Sequence, residues 1–330
     1  MVPGRRGAAR DRGRAARPPE VRVNRRVGYA AAVAAVVLLL GAVLSPGFAS
    51  WPGLRAVLVV ASFTGFVAAG QMLVVLVGGI DLSIPWVLNA AAIVLTTTGL
   101  GMADRLPLAL ALAIGAGLLA GLVNGLGVAW LGVPAVVMTL GMNGVMQGLT
   151  LGVSQGLTCG ECGHYAPQPL RDLFAGTVPA ALLVWLGAAL FVTVLLTLTT
   201  FGRRVYATGA NPRAAYLSGV GVKGVTVALY TLSGGFAALA GIMLVGYGGQ
   251  ASLGLGDPYL FESIAAVVVG GVSILGGRGH YLGVVAGSLT LVAVTTVLRA
   301  QQVPEHGRLM IYGLVILAIL FAYGRERAHD

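Results

Sequence analysis

Few residues in this 330-residue chain carry chemistry that could act on anything. Asp81 stands alone in VGGIDLSIPW, Val77 to Trp86, where an apolar run ends. Its carboxylate could hold a polar solute or an ion. It could equally accept the free N–H groups of a helix start, where the helix dipole favours negative charge. A bare carboxylate inside a bilayer costs about 2.5–3.5 kcal/mol on insertion scales, so such a group persists only with a partner or a use. Asp257 and Glu262 flank Pro258 and are expected to cap a helix and sit in its first turn. Cys159 and Cys162 form a C-x-x-C beside Glu161 and His164, a spacing that suits a redox pair, a local disulfide or half a zinc site. There is no second cysteine pair, and His280, His306 and His329 fall on other segments, so neither a metal centre nor a cofactor is expected.

Neutral amides form the remaining group. Gln71, Asn89, Asn124, Asn143, Gln147 and Gln250 lie in or beside apolar runs. They can hydrogen-bond the hydroxyls of a sugar without burying charge, or join helices to one another. Trp86 could stack on a sugar face or mark a membrane interface. The sequence has no nucleophile–base pair and no H-E-x-x-H, which argues against an enzyme. GGRGH, Gly276 to His280, is a tight turn and not a phosphate loop, since no strand precedes it and no G-K-[ST] follows.

The elements that must position these residues are membrane spans. The chain is 57% hydrophobic and only 10% charged, with a mean hydropathy of +0.89, whereas soluble domains carry about 25% charged residues. Apolar runs near the ~20 residues that cross a bilayer occur at 27–44, 55–77, 86–103, 106–130, 133–155, 178–200, 224–246, 259–275, 282–300 and 308–323. The fold class is therefore an all-α polytopic membrane protein of about ten helices. Fifty-one glycines suit close helix packing and broken helices. Nine arginines between Arg5 and Arg26 form a disordered basic tail over 1–26. It lacks aromatic residues and periodicity, and it is read as attracting anionic lipid and fixing orientation, not as binding nucleic acid.

Lysine and arginine are biased to one side, as the positive-inside rule requires. The inner segments hold the tail arginines, Arg203, Arg204, Arg213, Lys223, Arg278, Arg325 and Arg327, against Arg55, Arg105, Arg171, Arg299 and Arg308 outside. Both termini are then inside, with a membrane domain over 27–323 and a short inner tail at 324–330. The largest inner loop, 201–223, divides spans 2–5 from spans 7–10, which run in opposite senses. GGIDLS against GGQASLG gives a faint echo between the halves, as an inverted repeat would.

Gly78, Gly79 and Pro85 interrupt the helix between spans two and three, with Ser83 placed to cap its continuation. In the inner loop, Asn211-Pro212 starts a short helix through Arg213, Ala214, Ala215 and Ser218, stopped by Gly219. A helix lying between two spans is a rigid element that another protein can push, with Arg203, Arg204 and Arg213 available as contacts.

GGIDLS followed by an alanine-rich span resembles the signature of the membrane permeases in ribose-type ABC importers, although Ile84, Pro85 and Trp86 depart from its usual continuation. GRRVYATGANPRAAYLSGV, Gly202 to Val220, which includes Gly209, is similar to that family's coupling segment, with Ala210 where glycine is frequent. Gly254 to Gly279 is similar to its late glycine-rich block. The resemblance implies a permease subunit of a binding-protein-dependent importer for a monosaccharide such as ribose, xylose or galactose. Its implied partners are separate ATPase subunits, an extracytoplasmic sugar-binding protein and a second permease, in a bacterial plasma membrane. The alternatives are an ABC permease for branched-chain amino acids or nucleosides, and an ion-coupled secondary transporter using Asp81 or Glu262.

Overall fold

The computed structural model describes residues 23–45, 47–154, 165–176, 180–304, 306–308, 310–311 and 313–314. Its elements are α1 (Val23–Leu44), α2 (Trp51–Val75), α3 (Ile84–Gly99), α4 (Leu106–Ala129), α5 (Ala135–Ser154), α6 (Gln168–Ala175), α7 (Ala180–Thr197), α8 (Thr200–Ala210), α9 (Pro212–Leu217), α10 (Val222–Gly248), α11 (Pro258–Val269) and α12 (Tyr281–Ala300). Among the described residues the only extended pairing is an isolated bridge between Tyr165 and Gln250.

Seven of these helices, α1, α2, α4, α5, α7, α10 and α12, are long and apolar enough to cross a membrane. The expected spans 86–103 and 259–275 are instead α3, of 16 residues, and α11, of 12. After α3 the chain turns at Leu100 (φ +47°) and Gly101 (φ +74°), and after α11 it turns at Gly270-Gly271, where Gly271 takes φ +81°. The expected tenth span, 308–323, falls mostly outside the described residues, as do Cys159, Cys162 and the basic tail up to residue 22; residues 23–26, expected as disordered tail, form the first turn of α1.

α2 and α10 form the buried centre, packed against each other. α10 also packs on α3 and α4, while α2 packs on α11 and α12. Close approach between α4 and α10 comes from facing glycines. A Cβ added at Gly121 would strike the carbonyl of Tyr230, and one at Gly234 the carbonyl of Gly117. In lipid, where no hydrophobic force draws helices together, such backbone contact supplies the dispersion energy of packing. Polar bonds tie α7, α12 and α2: the Trp185 indole N–H donates to the Tyr281 hydroxyl at 3.0 Å, which donates to the Gly65 carbonyl at 2.7 Å.

α2 begins where Ser50 accepts the Gly53 N–H at 3.2 Å, with Pro52 in its first turn. Asp257 occupies the corresponding position before α11, yet its side chain makes no capping bond. Glu262 lies beyond the first turn of α11, buried, and accepts a hydrogen bond from Thr64 of α2 at 3.1 Å. The expected cap and first-turn roles are therefore replaced, at Glu262, by a bond between helices.

Candidate functional site

The break after α2 is built from residues 76–83. Gly78 takes φ +80°, which a side chain would resist, and the Gly79 N–H still reaches back to the Val74 carbonyl at 3.1 Å. Residues 79–83 then run without helical structure to α3, which starts at Ile84 with Pro85 in its first turn.

Every strand of backbone freed within a membrane must find partners inside the protein. Asp81, 1% exposed, does much of this. One carboxylate oxygen accepts the Ser83 N–H at 3.0 Å and the Ser83 hydroxyl at 2.6 Å. The other accepts the Ser233 hydroxyl of α10 at 2.8 Å. Asn124 of α4 donates to the Ser83 oxygen at 2.8 Å, and Thr139 of α5 donates to the freed Ile80 carbonyl at 3.2 Å. Ser83 sits at the N-cap as expected, but makes no side-chain capping bond. Its hydroxyl proton goes to Asp81, and its oxygen accepts the Asn124 amide in place of a helix N–H. Tyr230 of α10 fills the space beside Gly79, where any Cβ would strike its hydroxyl.

At one end of the bundle, the expected loop 201–223 is mostly helical. α8 starts where Thr199 accepts the Gly202 N–H at 3.1 Å, and buries Gly202, Val205 and Thr208, three residues apart on one face. Arg203 and Arg204 are exposed. Asn211 ends α8 and caps α9, its Oδ1 accepting the Ala214 N–H at 3.0 Å, and Pro212 occupies the first turn. Ser218 donates to the Ala214 carbonyl at 2.9 Å, and Gly219, at φ +82°, turns the chain away. Only Ala215 of α9 is buried, whereas Tyr216 and Leu217 are 69% and 77% exposed beside Arg213.

This paired-helix element rests directly on both glycine-rich segments. A Cβ at Gly209 would strike the Leu76 carbonyl and the Gly277 backbone. The Gly277 N–H itself donates to that Leu76 carbonyl at 2.8 Å. Tyr206 donates to the Gly279 carbonyl at 2.7 Å, and burial pushes its phenol up to about 12, so it remains a donor at ordinary pH. The 273–280 turn is closed by the Ser273 N–H on the Arg278 carbonyl at 2.8 Å.

The amides do not gather at one point. Gln71 is fully buried in α2, and neither amide atom has a hydrogen-bond partner among the described residues. Asn89 donates to the Ser252 carbonyl at 3.2 Å, close to where Gln250, itself exposed, bridges to Tyr165. Trp86 is buried on α3, whereas on α5 Asn143 is half-buried and Gln147 exposed. Sequence reasoning missed Ser233, Tyr230 and Tyr206. The apolar spacing of Gly202, Val205 and Thr208 was the signal for α8, and S-G-G at Ser233 to Gly235 hinted at a close helix contact.

An all-helical bundle with broken helices at its centre and a projecting helix pair at one end has the architecture of a polytopic membrane permease. The chain belongs to the family of branched-chain amino acid transport system / permease components, matched over residues 53–320. It is 36% identical over 263 residues to the autoinducer 2 import system permease protein LsrC of Escherichia coli (strain K12 / DH10B), covering 79% of this chain and 75% of that protein. It is 34% identical over 307 residues to LsrC of Salmonella typhi, covering 92% and 87% respectively. No solved structure matches the chain.

Proposed function

We propose that this chain is the permease subunit of a binding-protein-dependent ABC importer for a monosaccharide-like solute. It forms the translocation pathway and couples to separate ATPase subunits. The observation that carries this reading is α9, whose exposed Tyr216, Leu217 and Arg213 stand on a helix pair seated against both helix breaks. Large apolar side chains beside arginine, on a rigid projecting helix, suit a protein partner. The relatives are named as permeases of an autoinducer 2 import system. With the buried carboxylates Asp81 and Glu262 both engaged by the protein itself, this favours a small, uncharged cargo.

In this mechanism, closure of the ATPase dimer moves α8 and α9, and the pathway alternates between an outer binding protein and the cytoplasm. The chain sits in a bacterial plasma membrane with α8, α9 and both termini inside, as the basic residues of 201–223 favour. Two copies lie side by side. Each is built as an inverted repeat in which α2, α3 and α4 correspond to α10, α11 and α12. Both triplets run long, short, long (25, 16 and 24 residues against 27, 12 and 20). Their packing also exchanges under that correspondence, since α10 meets α3 and α4 where α2 meets α11 and α12.

Ion-coupled transport is the weaker reading. Asp81 already accepts three hydrogen bonds, and Glu262 accepts one from Thr64, which suits structural carboxylates better than coupling sites. The test is reconstitution: uptake into proteoliposomes should require ATP, separate ATPase subunits and an extracytoplasmic binding protein. Uptake by this chain alone, driven by a proton or sodium gradient, would reverse the assignment.

A further inference from the structure

The contacts between α8 and the two glycine-rich segments are of an unusual kind for a loop resting on a bundle. At Gly209 the approach is backbone to backbone, with no side chain between α8, the Leu76 carbonyl and Gly277. Gly276 is held as tightly, since a Cβ there would meet the Gly78 nitrogen at 2.9 Å and the Gly209 oxygen at 3.1 Å. The Gly277 N–H bonds the same Leu76 carbonyl that Gly209 covers, and Tyr206, one turn earlier on α8, bonds the Gly279 carbonyl. At Gly209, Leu76 and Gly277 three segments widely separated in sequence therefore meet backbone to backbone, and the half-buried Tyr206 ring adds one side-chain bond to that contact.

We propose that Tyr206 and Gly209 are the positioning residues of energy coupling, making α8, the end of α2 and the 273–280 turn move as one joint. This rests on the reading of α8 and α9 as the ATPase-docking element. A load on α9 passes through the Asn211 cap into α8 and divides at the joint. One branch enters α2 at Leu76 and continues along residues 79–83 to Asp81, which is tied to α10 through Ser233. The other enters the turn between α11 and α12. Both halves of the bundle are thus driven from one point. A contact made through flexible side chains would lose much of the displacement, because packed backbone has discrete arrangements while exposed side chains hop among rotamers.

The test uses the assembled importer in nanodiscs, with Cys159→Ser and Cys162→Ser as background and a fluorescent label on Val77→Cys beside the joint. ATP with vanadate is the probe. In the parent complex the label should respond to ATP–vanadate. Tyr206→Phe removes one oxygen and preserves the phenyl ring, and it should lower the melting point only slightly and keep ATPase association while reducing the label response about fivefold, the effect of one lost hydrogen bond. Gly209→Ala should abolish the response. An unchanged response in both variants, in a parent complex that responds, overturns the joint while leaving the transport assignment standing. A parent complex that neither binds ATPase subunits nor responds to ATP–vanadate removes both.

Discussion

The carboxylate of Asp81 and the hydroxyl of Ser233 are 2.8 Å apart and 152 residues apart in sequence. This one bond ties the interrupted backbone between α2 and α3 to the middle of α10. Asp81 thereby serves as the acceptor on which a helix break closes, with Ser83 on one oxygen and Ser233 on the other.

Asp81→Leu would leave the Ser83 N–H and two hydroxyls buried without an acceptor, at about 1–3 kcal/mol for each group left unsatisfied. The variant should melt well below the parent protein in detergent, and should lose uptake. Asp81→Asn keeps an acceptor oxygen and should fall between the two. Equal melting of all three proteins would show that the break holds without this residue.

The α4–α10 contact depends on bare backbone. Gly234→Ala forces a methyl against the Gly117 carbonyl and the Gly121 backbone, an overpacking that costs about 1–3 kcal/mol. Gly144→Ala on α5, where nothing lies within 4 Å, should be close to neutral in the isolated protein. Thermal unfolding of the two variants side by side checks the contrast.

Docking should rest on the apolar tip of α9. Replacing Tyr216 and Leu217 together by serine should weaken co-purification with the ATPase subunits by at least about tenfold, as loss of an interface anchor does. Replacing 213–218 by a Gly/Ser linker should abolish it while membrane insertion continues. Asn211→Ala removes the α9 cap, worth about 1 kcal/mol, and should give a milder version of the same defect.

The orientation of α8 and α9 has a direct chemical test. In a background with Cys159→Ser and Cys162→Ser, Arg213→Cys should react with a membrane-impermeant maleimide in inside-out vesicles and resist it in intact spheroplasts. The reverse pattern would place the helix pair outside and end the coupling scheme.

His280 gives a pH dependence. Its Nδ1 accepts the Leu282 N–H at 3.1 Å at the start of α12, and burial lowers its pKa from 6.5. The neutral ring is therefore favoured by folding. Its stabilising contribution is complete above about pH 6.5 and is lost as pH falls through the lower folded value. Melting points from about pH 7.5 to about pH 5 should fall less steeply in His280→Asn, which caps without titrating.

Glycine, proline and asparagine fix the backbone within a few residues of themselves, so their effects were legible in the chain. The interruption at Gly78 and Gly79, the α9 start at Asn211-Pro212 and its end at Gly219 all stand where local chemistry puts them. Long apolar runs likewise marked most of the crossing helices, since lipid demands length and hydrophobicity before anything else. Which groups those elements bring together was another matter. That Ser83 serves Asp81 in place of its own helix, that Glu262 meets Thr64, and that Gly209 lies on Leu76 and Gly277 depend on the depth and rotation of helices distant in sequence. A glycine that turns the chain and a glycine that admits a neighbouring backbone look the same in a sequence, and only the packed bundle distinguishes them.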